Sequence, residues 1–383
     1  MILRLNEKAV IRRSILDLCK TDSIRKESTD DAIRAIREKR GTKYKENLWD
    51  YVVALGAQLS RPPFDPYREK IKLKTEVGRK GTTKTILKIP ILLYGEFNLS
   101  QSSQDALNFA LNNLVDNNST VGIISKEEPY DERKYPHFQI INDVNKISDS
   151  EGIVMQYDDI GIIEKIRKIR KEFWGPIIVE VDENFSDYTH RLLASGVDGI
   201  LVNTEKITKS KKYVEKHAIS VIHDARKIIN EFYQGKENDG TCLIVAGDVD
   251  STGKIIKSVG LGADIVGYDL SLLIAKVGFY TENFFDSIIT AEKIHNHMIA
   301  TKNELIGIPA ALGYSNFHNM SPSDFRTSSL KASLEGEILL EGVNKTYKKI
   351  IEEVLDEYID TKKISVVQQQ KQKIIEMISL EEN

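Results

Sequence analysis

Cysteine is nearly absent from this sequence: Cys19 and Cys242 are the only two among 383 residues. Two distant thiols cannot frame a disulfide network, a zinc knuckle or an iron-sulfur cluster, all of which need clustered thiolates. The expected compartment is a reducing one. Excess charge is also lacking, since 54 Lys and Arg stand against 57 Asp and Glu for a net charge of -3. No global field therefore draws the chain to nucleic acid or to anionic lipid. Long apolar runs are missing too: nowhere do 18 apolar residues follow one another, and Arg4, Glu7, Lys8, Arg12 and Arg13 interrupt any signal-like core at the start. The expectation is a soluble, cytoplasmic protein with neither a membrane nor a nucleic-acid partner. Histidine offers no metal site, because His295 and His297 lie two apart on a helical stretch, where their rings diverge, and His217 and His223 are no better spaced. No Ser-His-Asp or Cys-His set suggests itself.

What the chain does have is rhythm. "STDDAIRAIREKRG" carries a Ser28 or Thr29 cap, first-turn acids, late bases and Gly41 as a stop, the signals of a helix, and "SRPPFDPYREK" then breaks structure with three prolines. Eight short apolar runs follow: "KIPILLYG", "STVGIIS", "HFQII", "GIVMQY", "PIIVEV", "GILVN", "CLIVAG" and "DIVGYD". Helical patterns follow all but the second and third, whose connections are too short. Continuous apolar strands alternating with helices imply a parallel sheet covered on its outer face, and eight units imply a closed (β/α)8 TIM barrel. The α/β alternative is a doubly wound open sheet. We expect a helical segment and connector over 1–83, the barrel over 84–278, and a C-terminal helical extension packed on it over 279–383. In that extension "TYKKIIEEVLDEYI" sets Tyr347, Ile350, Ile351, Val354, Tyr358 and Ile359 on one face, suited to the barrel or to a second chain.

One segment has the layout of a phosphate-gripping turn. In "GDVDSTGKIIKSVGLGAD", Gly247 ends an apolar strand, and Ser251, Thr252 and Gly253 open a helix whose amides and dipole suit an anion. Gly247 and Gly267 equally suit plain strand-to-helix turns. Gln139 reads first as a satisfied strand-end amide, and Asp158 and Asp159 read first as helix caps.

Four phrases, in order, resemble the glutamate synthase large-subunit family, in particular its stand-alone members built on an FMN-binding barrel. They are "LWDYVVALGAQLSRPPFDPYREK", "LKIPILLYGEFNLSQ", "IVAGDVDSTGKIIKSVGLGADIVGYDLSLLIAK" and "GYSNFHNMSPSDFRT". The resemblance implies FMN as cofactor, an amino-group oxidoreductase in glutamate biosynthesis, and cofactor contacts at Gly95, Gln139, Gly247, Ser251, Thr252, Gly253 and Gly267. It also places Glu180 where relatives carry a lysine facing the flavin, and "NTEKITKSKK" where they carry glycines.

Strand C-termini form the working mouth of such barrels. Here they bear Glu96, Asp158, Asp159, Glu180, Asp182, Glu183, Glu205, Asp248, Asp250 and Asp269, with Lys206 as the first nearby base. One carboxylate about 4 Å from a phosphate costs on the order of 4 kcal/mol at an effective dielectric near 20. These acids predict weak FMN binding and a non-catalytic or accessory subunit, in a homo-oligomer or beside a catalytic relative. The alternative is an active FMN-dependent glutamate synthase-type enzyme with a modified site.

Overall fold

The computed structural model describes residues 47–361 apart from 57–60, 67, 96–100, 127–129, 143–146, 148, 159–160, 211, 214–215, 236, 248, 250, 271–272 and 274–286. The helix expected over 28–41, most of the one expected over 270–278, Cys19 and the chain beyond 361 lie outside the described residues.

A short strand β1 (Val52–Ala54) and a hairpin, β2 (Thr75–Val77) with β3 (Thr85–Leu87), precede the barrel. The barrel strands are β4 (Ile91–Tyr94), β5 (Gly122–Ser125), β6 (His137–Ile141), β7 (Gly152–Gln156), β8 (Ile177–Val181), β9 (Gly199–Asn203), β10 (Cys242–Ala246) and β11 (Ile265–Asp269). They follow one another in chain order, and β11 closes in parallel on β4 from Val266↔Ile91 to Asp269↔Tyr94. This closure excludes the open sheet. Helices α1 (Gln101–Asp116), α2 (Ile162–Ile169), α3 (Phe185–Ser195), α4 (Thr204–Thr208), α5 (Ala218–Phe232) and α6 (Thr252–Gly260) cover the outside. Among the described residues, no helix follows β5 or β6.

The strands read as unbroken apolar runs because both faces are buried. Leu92, Ile124, Phe138, Val154, Ile178, Leu201 and Ile244 fill the interior. Their neighbours Leu93, Ile123, Ile153, Val179, Val202 and Val245 meet helical residues such as Leu107, Ile166, Leu192, Ile222 and Ile255.

The β2–β3 hairpin plugs the N-terminal end, with Val77 and Leu87 joining the interior cluster. Its turn is tied down by Asp198, a fully buried carboxylate just before β9. Asp198 accepts from the backbone N–H of Arg79 at 2.8 Å, from Thr82 Oγ1 at 3.0 Å, from the backbone N–H of Ile177 at 2.8 Å and from the Arg170 guanidinium.

Both flanks lie against the barrel. Helix α7 (Ser287–Ala311) packs along α1. After it come β12 (Phe325–Thr327), α8 (Leu330–Gly336), β13 (Leu339–Leu340) and α9 (Tyr347–Thr361). Strand β12 pairs antiparallel with β1 and parallel with β13, joining the two flanks in one small sheet. The ring of Phe325 occupies the place a side chain at Gly260 of α6 would take, 2.0 Å from an ideal Cβ, and Trp49 meets His217 edge-on with centroids 5.6 Å apart. Of the face expected on α9, Tyr347, Ile350 and Ile351 are half-buried and Val354 is exposed.

His137 is buried on the outer face of β6, where its Nε2 meets Ser125 Oγ at 2.9 Å. Burial, with the Arg133 charge adding to it, pulls its pKa down to about 4. The imidazole is therefore neutral in the fold. A base whose folded pKa is depressed gives its full stability above the unfolded value, near 6.5, and loses it as pH falls towards 4. Urea titrations between pH 7 and 4 should show this loss, with a slope of up to about 1.4 kcal/mol per pH unit. His137→Gln should lack that component, and an unchanged slope in the variant would assign it to other groups.

Candidate functional site

At the C-terminal mouth the inward alternation of the strands runs one step past the apolar layer, bringing in Tyr94 after Leu92, Glu180 after Ile178 and Asn203 after Leu201. The three meet. Tyr94 OH donates to Glu180 Oε1 at 2.9 Å and accepts from Asn203 Nδ2 at 3.3 Å. Asn203 also caps α4, its Oδ1 accepting from the Lys206 backbone N–H at 3.1 Å. That cap starts the helical turn which carries Lys206 back over the mouth, where its Nζ reaches Glu180 Oε1 at 2.7 Å. Glu180 is 5% exposed, and its second oxygen, Oε2, is buried without a hydrogen-bond partner. Burial, reinforced by the Glu180 charge, raises the Tyr94 hydroxyl to about 12. For Lys206, burial pulls the pKa down, but the hydrogen bonds to Glu180 and Tyr94 and the attraction of both groups leave it raised overall. Both groups keep their protons at neutral pH.

The β10–α6 turn adjoins this cluster through the same asparagine. Gly247 has φ of 76°, and a Cβ there would sit 2.6 Å from Asn203 Oδ1 and 2.7 Å from the Glu205 amide nitrogen. Only glycine meets both demands. Thr204 Oγ1 donates to the carbonyls of Ala246 at 3.1 Å and Gly247 at 3.0 Å, locking the ends of β9 and β10 together. Ser251 caps α6, and the space beside Gly253 is open: outside its chain neighbours and its own helix backbone, no described residue lies within 4 Å of its ideal Cβ. The first-turn amides of a helix lack partners within it, so the turn can hold an anion.

The acids of the mouth are far less bare than the strand ends suggest. Lys206 pairs with Glu180, Lys209 with Glu205 at 2.9 Å, and Lys165 with Asp158. Asp182 Oδ1 accepts from Tyr188 OH at 2.7 Å and from the Asn184 backbone N–H at 2.8 Å. The expected acidic mouth is thus offset by a lysine at three of these residues, Asp158, Glu180 and Glu205, from segments that follow the strands, whereas Asp182 has hydrogen-bond donors but no cation. Glu96, Asp159, Asp248 and Asp250 lie outside the described residues. Asp158 is not a helix cap either: Gly161 occupies the N-cap of α2.

Among the expected contacts, Gly95, with φ of 151°, directly follows β4 beside Leu270, while Gly247 and Ser251 lie in the β10–α6 turn and Thr252 and Gly253 open α6. Gly267 is not in a turn. It lies within β11, where a Cβ would meet that of Ala246 at 2.6 Å, so its absence lets two barrel strands pack closely. Gln139 alternates with the interior residues Phe138 and Ile140 and pairs in register with Ser125, so it belongs to the outer face of β6 and not to the mouth cluster. Tyr94 and Asn203 escaped the sequence reading. Their signal was positional, each lying two residues beyond an interior apolar residue. The rings of His295 and His297 diverge as expected, one to Asn117 and the other to Tyr268. Among the described residues no group of three or more His, Cys, Asp or Glu could hold a metal ion, and no helix is long and apolar enough to cross a membrane.

No family model and no curated protein matches the sequence. Solved structures do match. The flavin-binding domain of baker's yeast flavocytochrome b2 is 13% identical with a TM-score of 0.59, over 91% of this chain and 95% of that one. A soluble mutant of the membrane-associated (S)-mandelate dehydrogenase from Pseudomonas putida is 11% identical with a TM-score of 0.52, over 84% of this chain and 98% of that one. A mandelate oxidase mutant with a monooxide FMN adduct is 13% identical with a TM-score of 0.52, over 76% and 97%. At such identities the likeness concerns architecture: this chain has the closed (β/α)8 barrel fold of these flavoproteins.

Proposed function

We propose that this chain is an FMN-binding oxidoreductase working at the C-terminal mouth of its barrel. The observation that carries the reading is the constellation around Asn203, which ties a polar cluster of balanced charge to Gly247, the first residue of the turn leading into an anion-ready helix, at the end where such barrels work. The residues fit the cofactor: the amides of Ser251, Thr252 and Gly253 would take its phosphate, and the open space at Gly253 admits close approach. Lys206 and Glu180 supply a donor and an acceptor for a polar ring edge. When bound, FMN supplies a two-electron acceptor. The chain's part is to orient it, with Lys206 keeping a positive charge at neutral pH and the Asn203 amide fixing Tyr94 and α4 together. The fold shared with flavoproteins supports this reading, and the glutamate synthase-like phrases extend it to amino-group chemistry in glutamate biosynthesis.

A second reading is an accessory subunit that has lost flavin. It is favoured by α4, which begins directly at the end of β9 and sets the Glu205 amide against Gly247, where a bare glycine stretch would leave more room. FMN titration followed by quenching of flavin fluorescence separates the two. The first reading expects a Kd of about 1 μM or tighter, with riboflavin bound at least about tenfold more weakly because it lacks the phosphate. Absence of saturable binding would leave the accessory subunit.

A further inference from the structure

The unpartnered Glu180 Oε2 and the Lys206 ammonium form a donor and acceptor pair that is half unused. Glu180 Oε1 already receives Tyr94 OH and Lys206 Nζ, whereas Oε2 meets neither a donor nor solvent. A buried carboxylate oxygen ordinarily has a partner, and an exception calls for a missing one. The Lys206 side chain is 59% exposed, so one of its three N–H groups remains available to a ligand arriving from the mouth. We propose, building on the FMN reading, that Glu180 Oε2 accepts a hydrogen bond from the N3–H of the flavin pyrimidine ring while Lys206 donates to an adjacent ring carbonyl. An N–H flanked by two carbonyls is the only part of the tricyclic ring that offers both complements side by side. Rotation about the last torsion of Glu180, which is soft, together with a turn of the exposed Lys206 chain, brings the oxygen to face the ligand. The pair thereby selects the imide edge, whatever holds the phosphate.

The test compares FMN with FMN methylated at N3, which has lost that donor, on the full chain. Wild type is expected to bind the methylated form at least about tenfold more weakly. In Glu180→Ala this preference should shrink to within about twofold, and Glu180→Gln, which keeps the side-chain volume, should lose most of it too. Lys206→Met should weaken both ligands by a similar factor and leave their ratio unchanged. A preference that survives in a folded Glu180 variant, or that is absent from wild type while FMN itself binds, overturns the assignment and leaves the FMN reading standing. Failure of wild type to bind either ligand overturns the FMN reading and this assignment with it.

Discussion

Replacing Asp198 by alanine is expected to lower global stability by about 3–5 kcal/mol, the cost of breaking a buried charge pair by removing one partner. The carboxylate is fully buried and collects four donors: the Arg170 guanidinium, Thr82 Oγ1 and the backbone N–H groups of Arg79 and Ile177. Deleting it orphans two backbone donors, leaves the Arg170 guanidinium with only the carbonyls of Gly175 and Gly196, and removes one of the ties on the turn that seats Val77 and Leu87 in the end of the barrel, the Arg79–Asp239 pair remaining. Asp198→Asn keeps one acceptor and the volume, so a smaller loss is expected. Urea unfolding at pH 7 measures both. A loss below about 1 kcal/mol for the alanine variant would mean that the cost of burying the charge cancels its bonds.

Gly247→Ala should cost about 2–3 kcal/mol and weaken FMN at least about tenfold. The residue holds φ of 76°, and the added Cβ would press on Asn203 Oδ1 at 2.6 Å and on the Glu205 backbone nitrogen at 2.7 Å. The asparagine cannot yield without releasing Tyr94 and the Lys206 amide, so the damage spreads from the turn to the cluster at the barrel mouth. Gly253→Ala is the matched control. It falls in open space in the first turn of α6, where alanine is a better helix former by up to about 1 kcal/mol. That variant should be as stable as wild type or more so, yet bind FMN less well, because its methyl group stands where a phosphate approaches the amides. Equal affinity for FMN in wild type and Gly253→Ala would move the phosphate away from this turn.

All eight barrel strands could be read from the sequence, because burial on both faces makes each a continuous apolar run, and chain order then follows from right-handed parallel crossovers. The strands that escaped are β1, β2, β3, β12 and β13, none longer than three residues, too short for a pattern, with β1 also depending on a distant partner, Arg326 for Val53. The site was half legible. The Gly247 turn announces itself through its glycine and its Ser251 cap, which are local features. The electrostatics do not, because listing strand-end acids with Lys206 as the one nearby base omits Lys165 and Lys209, which also reach back from the segments that follow. Gln139 shows the converse. A plausible residue type in a plausible strand falls on the outer face, because side chains alternate and Phe138 and Ile140 hold the inner positions.

The small sheet that joins the flanks bears on how the protein is made. Strand β1 finds its partner only when Phe325, Arg326 and Thr327 exist, after the whole barrel has been translated. At roughly 5–20 residues per second that interval lasts tens of seconds on the ribosome. Until then Val52, about 1% exposed in the finished fold, has no β12 beside it, and the space at Gly260 awaits Phe325. Truncation just before β12 would fix the nascent chain in that state, with a complete set of barrel strands and an apolar seam facing the surrounding chaperones.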